Sequence, residues 1–186
     1  MITEVVLKAP AILIAVPQLA DTNFSRAVVL LLEHQPEEGS MGVVLNRPTE
    51  LELGEFCSSQ DMTFQGNKKG LVYSGGPVQT NRAFLVHHSD HVGPETEDII
   101  GRTKLSYSLE SLELVSQTPP SRLRVFLGYA GWGPGQLATE VISGAWLVTD
   151  VADELIFDVP VESVWESSLR KMGIDPMQLM HSGEVH

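Results

Sequence analysis

The chain is poor in several things that would have narrowed its chemistry at once. Among 186 residues there is one cysteine, Cys57, so no internal disulfide can form and nothing points to an oxidising compartment. Basic residues are scarce: 12 Lys and Arg stand against 24 Asp and Glu, a formal charge of −12. Only Lys68-Lys69 and Arg170-Lys171 adjoin, so no basic stripe exists to follow a phosphate backbone. Long apolar runs are missing too. Ala11–Val16 and Ala27–Leu32 fall far short of the ~18 residues a spanning helix needs, and Glu4 before Lys8 does not open a secretion signal. These absences make a cytoplasmic location and no membrane contact the expectation, with direct nucleic-acid binding disfavoured.

What is present reads as one domain over residues 1–186, without repeats, linkers or low-complexity tracts. Ala11–Val16 and Ala27–Glu33 are continuous apolar runs of buried-strand type. Met41–Asn46 follows the turn-forming Glu37-Glu38-Gly39-Ser40 as a hairpin partner. Leu51–Ser58 is expected to form a short helix, Asp61–Gly70 a polar loop, and Leu71–Ser74 and Ala83–His87 strands. Ser108–Gln117 has an amphipathic pattern that Pro119-Pro120 ends. Arg122–Tyr129 alternates as a strand, Gly131–Gly135 reads as a tight turn, Pro134 opens a helix to about Val141, and Ala145–Val148 is a strand. Val161, Val164, Trp165, Leu169 and Met172 share one helical face, with Gly173 placed to cap it. Strands too closely spaced for regular βαβ winding indicate an α+β architecture.

Four blocks make the chain resemble the YqgE/AlgH family. The first is Leu13–Pro17 with Asp21, Phe24, Arg26 and Glu33-His34; the second is Met41–Pro48. The third is Gly75-Gly76-Pro77-Val78 with Arg82 and Phe84–His87; the fourth is Leu127–Leu137 with Glu140 and Trp146-Leu147. Gly173-Ile174-Asp175 also fits. The resemblance implies a branched β-sheet curled into a pseudo-barrel with helices packed outside, in a bacterial, cytosolic protein. Some members are labelled transcriptional regulators, and the resemblance implies no particular reaction. Leu32 stands where many members carry cysteine and Ala138 where glutamate is usual, so thiol or paired-carboxylate roles at those positions do not carry over.

Each candidate site has a plainer counterpart. Gly131-Trp132-Gly133-Pro134-Gly135 could offer backbone N–H groups to an anion, but Gln136 occupies the third glycine's place in G-x-G-x-x-G and no Lys-Ser/Thr follows. A glycine turn seating Trp132 against the core is favoured over that. Gly75-Gly76 with Arg82 could admit and fork an anion; the plainer reading is a turn plus an arginine paired to a carboxylate. Arg26 with Asp21 reads as a structural ion pair. His87, His88, Asp90 and His91 crowd together, but a strand sends His87 and His88 to opposite faces, so no metal is expected. His34 beside Glu33 is read as structural, and neither Ser74 nor Cys57 looks like an activated nucleophile, because Glu50, Glu52 and Glu55 would raise the thiol pKa. Met177–Met180 reads as packing.

The leading expectation is a non-enzymatic binding or regulatory protein without cofactor. It would take a small anionic ligand or a protein partner around Asn46, Arg47, Gly75, Gly76, Arg82, His87, Trp132 and Gln136. One alternative is a hydrolase acting on a phosphoester or ester with His87 or His34 as base. The other is a transcriptional regulator acting indirectly, without touching DNA. With no second apolar helix face in view, a monomer is expected.

Overall fold

Continuous apolar runs must be buried on both sides, and the computed structural model, which describes residues 6–17, 24–88 and 93–181, shows how. The chain divides into two compact units, Met1–Asn46 with Ala130–His186, and Arg47–Tyr129. In the first unit, β1 (Ala11–Ala15) pairs antiparallel with β2 (Val28–Gln35) and with β10 (Trp146–Thr149). β2 pairs with β3 (Gly39–Val44), and β3 meets the end of β9 through Ser40↔Trp132 and Gly42↔Ala130. Leu13, Val29, Leu31, Val44, Trp132, Leu137 and Trp146 form the core on one face.

The opposite face of β1 and β2 carries Ile12, Ile14, Val28 and Leu30, all without exposure, and α5 (Val164–Lys171) packs on these strands. Trp165 donates its indole N–H to the Ala15 carbonyl at 2.8 Å. The expected helical face is real, although Val161–Ser163 forms a 3₁₀ turn ahead of α5, and Gly173 closes the helix at φ 75°. α4 (Asp153–Phe157) buries Leu155, Ile156 and Phe157, and α6 (Pro176–His181) includes Met177, which is 57% exposed. The tail methionine thus contributes little to packing.

In the second unit the strand order is β4–β5–β9–β6–β8–β7. These are β4 (Pro48–Glu52), β5 (Leu71–Ser74), β6 (Val78–His88), β7 (Thr96–Ile100), β8 (Thr103–Ser106) and the Leu123–Tyr129 part of β9 (Leu123–Trp132). The sheet branches at β9, which takes β5 and β6 as neighbours along its first part and β3 along its last residues. α1 (Leu53–Ser59) and α2 (Leu109–Gln117) supply Leu53, Phe56, Leu112 and Val115 to a core with Val72, Leu85 and Val125. The class is α+β, as expected.

Several elements depart from the sequence reading. The expected helix at Leu51 starts at Leu53, because Leu51 and Glu52 belong to β4. Gly131 and Trp132 lie inside β9, not in a turn: glycine there extends the strand beside β3. The left-handed residue is Gly135 (φ 72°), directly before α3 (Gln136–Ile142), so Pro134 precedes the helix instead of opening it.

Candidate functional site

The expected site residues fall into both units and are described unit by unit. In the first, Asn46 follows β3, and its amide closes the end of the β2–β3 pair. Its side-chain oxygen accepts from Val28 N–H at 3.0 Å and its NH₂ donates to the Arg26 carbonyl at 2.9 Å. Trp132 and Gln136 gather around a residue the sequence reading passed over as a site, Glu140 on α3. One carboxylate oxygen accepts both Trp132 Nε1–H at 2.9 Å and Trp146 Nε1–H at 2.8 Å. The other accepts Gln136 Nε2–H at 3.0 Å, while the Gln136 carbonyl oxygen accepts from Gly133 N–H. Phe24 stacks against Trp132 and meets Trp146 edge-on. Every polar group in this cluster is answered from within. Its effect is to lock α3 against the strands.

The ion pair expected between Arg26 and Asp21 lies outside the described residues, since Asp21 is not among them. The Arg26 guanidinium lies 5.1 Å from the Trp165 ring centre and donates to Met180 Sδ at 3.1 Å. His34 is held by Ser40 Oγ at 2.7 Å from Nδ1, the structural role expected for it.

The second unit holds Arg47, Gly75, Gly76, Arg82 and His87. The Arg47 carbonyl accepts from Ser74 N–H at 2.8 Å, and burial pulls its guanidinium pKa down. Gly75 donates to the Leu127 carbonyl, and any Cβ on Gly75 would collide with the Gly128 carbonyl. Gly128 (φ 76°) in turn lies against the carbonyls of Gly76 and Val78. These glycines are occupied by backbone packed on backbone. That contact accompanies a register break between Val78 and Ala83, with Gln79 at φ 45°, and residues 79–82 stand exposed.

Arg82 sits at the end of that bulge. Its guanidinium lies 5.1 Å from the Phe84 ring centre and 5.5 Å from that of Tyr107. No carboxylate pairs with it among the described residues. The carboxylate partner that the plainer reading supposed is therefore absent there. Two aromatic faces hold the cation, leaving its N–H edge for another partner.

His87 is five residues further along β6, ~16 Å away at strand spacing. It is 2% exposed, and Nε2 lies 2.8 Å from Ser106 Oγ, which lies 2.7 Å from Thr96 Oγ1. Nδ1 has no hydrogen-bond partner among the described residues. Burial pushes the imidazole pKa down, and Lys104 and His88 add to this; the backbone of His88 opposes it without hydrogen-bond geometry at Nδ1. The ring lines a cavity of about 60 Å³ with Gly93, Ser106, Ser111, Leu114, Val115 and Thr118. Thus Arg82 and His87 share a strand without sharing a site. Asp90 and His91 lie outside the described residues. Among those described, no three His, Cys, Asp or Glu side chains converge as metal ligands. Burial pushes the Cys57 thiol up, so it is the core around Cys57, not the acidic neighbours named from sequence, that accounts for its direction.

A family model described as AlgH-like matches residues 12–177. The chain belongs to the AlgH-like family. A UPF0301 protein of Myxococcus xanthus (strain DK1622) is 43% identical over 173 residues, spanning 92% of this chain and 94% of that protein. UPF0301 protein Bpet0561 of Bordetella petrii is 39% identical over 171 residues, spanning 90% and 84%. The solution structure of the AlgH protein from Pseudomonas aeruginosa is similar with a TM-score of 0.74 at 34% identity, covering 95% of this chain and 94% of that one. The crystal structure of DIP2367 from Corynebacterium diphtheriae, at 23% identity and a TM-score of 0.70, supports the fold alone. The names of these family members specify no ligand, reaction or partner. In the described residues no helix is long and apolar enough to cross a membrane.

Proposed function

We propose that this protein is a binding protein, and that its second unit takes a carboxylate- or phosphate-bearing ligand at Arg82. The supporting observation is a cation without a carboxylate. In a chain with 24 acidic residues, the Arg82 guanidinium is held by Phe84 and Tyr107 and by no carboxylate among the described residues. Its planar fork is suited to bidentate anion recognition, and the aromatic support removes part of the entropy cost of ordering a long side chain. Gly75, Gly76 and Gly128 shape the bulge that presents residue 82.

A hydrolase reading lacks this kind of support. Ser106 is within hydrogen-bond distance of His87, but both are buried and no acid orients the imidazole from Nδ1 among the described residues. A thermal-shift screen against phosphorylated metabolites, nucleotides and di- and tricarboxylates tests the proposal. A ligand at 100 times its Kd adds about 2.7 kcal/mol, which raises Tm by roughly 5–10 °C for a domain of this size. Such a shift, abolished in Arg82→Ala and reduced in Arg82→Lys, is the expected result. A shift unchanged in both variants would remove Arg82 from the account.

A further inference from the structure

The His87 cavity is a second place where the protein leaves a polar group unanswered, and its chemistry is independent of Arg82. His87 faces Lys104 across the β6–β8 pair, and Ser106 stands two residues further along β8, on the same face. Ser106 has one hydroxyl proton and two partners, Nε2 of His87 and Oγ1 of Thr96. Whichever way the protons run, a neutral imidazole presents either a donor or an acceptor at Nδ1, and no described residue makes a hydrogen bond to that atom, although the His88 backbone stands close enough to favour the protonated ring. Leaving such a group dry is costly, which makes a guest in the adjoining space favourable.

The space has room for more than a single water. Its volume of about 60 Å³ exceeds the ~10–15 Å³ one water requires and falls short of the ~150 Å³ that accommodates benzene. Three or four heavy atoms fit. The walls divide by polarity: His87, Ser106, Ser111 and Thr118 supply polar atoms, Leu114 and Val115 methyl groups. Ser111 has already committed its hydroxyl proton to the Pro94 carbonyl, at 3.0 Å. Thr118 is exposed and Leu114 is 43% exposed, so the cavity reaches the surface at the C-terminal end of α2. Gly93 preserves the space, because a Cβ there would stand 2.8 Å from Ser111 Oγ. The fixed cation facing the imidazole is Lys104, which also meets the exposed carboxylate of Asp98 on β7; its ammonium favours a guest carrying negative charge.

We propose that this cavity binds a short carboxylate, of formate or acetate size or the end of a longer chain. Its oxygen accepts the Nδ1–H of His87, and its carbon side rests on Leu114 and Val115. Thr96 then donates to Ser106 and Ser106 to Nε2 in the empty state. When the carboxylate enters, the ring takes up a proton from solvent, becomes imidazolium and donates from both nitrogens, so that the buried anion is paired.

The test is a titration of the full-length ¹⁵N-labelled protein near neutral pH and at fixed ionic strength, observed through the ring nitrogens of His87. Formate and acetate are the probes, with acetamide as the neutral isostere and chloride as the simple anion. The expected result is a saturable movement of both His87 nitrogens to imidazolium positions with the carboxylates alone, lost in Val115→Phe, which fills the cavity. Should Val115→Phe fail to give a folded amide spectrum, Gly93→Ala narrows the same space from the other side. No response to any probe would overturn the proposal. So would an equal response to acetamide or chloride, or a carboxylate response that survives both cavity-filling variants.

Discussion

The first unit and the second both place charged groups against aromatic rings, but they finish the job differently. Around Glu140, two indole N–H groups and the Gln136 amide account for both carboxylate oxygens. Around Arg82, two rings hold the cation but no described carboxylate neutralises it, and further along the same strand His87 keeps a buried nitrogen without a partner. A closed network rigidifies; an open one is available to something else. The difference marks the first cluster as scaffold and the second unit as the place where ligand chemistry is possible.

Breaking the closed network should have the largest effect. Glu140→Ala leaves the Trp132 and Trp146 N–H groups buried without an acceptor, at a cost of about 2–4 kcal/mol measured by denaturant unfolding. Glu140→Gln keeps an oxygen for the indoles and should cost less than half as much. If the alanine variant is as stable as the parent, the cluster is not scaffold.

Opening of the second kind shows as pH dependence. The folded-state pKa of His87 lies below its unfolded value, so below ~6.5 the unfolded chain binds the proton more readily than the native one. Stability should therefore fall as pH drops through ~6.5, with a slope of up to ~1.4 kcal/mol per pH unit, and be unaffected by this group above it. His87→Gln should flatten the profile in that window. A profile identical to the parent's would mean that the imidazole is not held neutral.

Arg82→Ala should do the reverse of Glu140→Ala. It forfeits an exposed cation–π contact of roughly 0.5–1 kcal/mol, near the smallest change unfolding can resolve, yet loses anion binding altogether. Of similar size is Ser108→Ala, which removes the N-cap acceptor for Ser111 N–H and should cost about 1 kcal/mol by denaturant unfolding.

Parts of this were legible in the sequence and parts were not, for physical reasons. β1, β2 and α5 announce themselves because burial on both faces, or along one helical stripe, imposes a pattern of apolar residues. β7 and β8 stay hidden: Thr96–Ile100 carries Glu97 and Asp98, and as an edge strand it has no need of an apolar face. The extension of β9 through Gly131 is masked by glycines that read as a turn. Arg82, Trp132 and His87 stood out by residue type, but their partners could not, since Ser106 lies 19 residues from His87 and only the β6–β8 register joins them. Glu140 was visible as part of a motif; its role was not, because nothing local says that two tryptophans converge on it.

The most direct test of the contrast between the two units is to follow the Arg82 side-chain Nε–H resonance during titration with pyrophosphate and with citrate at fixed ionic strength. The account predicts a saturable shift for Arg82, larger than for Arg26, which already rests on Trp165 and Met180, with the indole N–H signals of Trp132 and Trp146 unmoved. Equal, non-saturating drift of both arginines, or movement confined to the tryptophans, would contradict it.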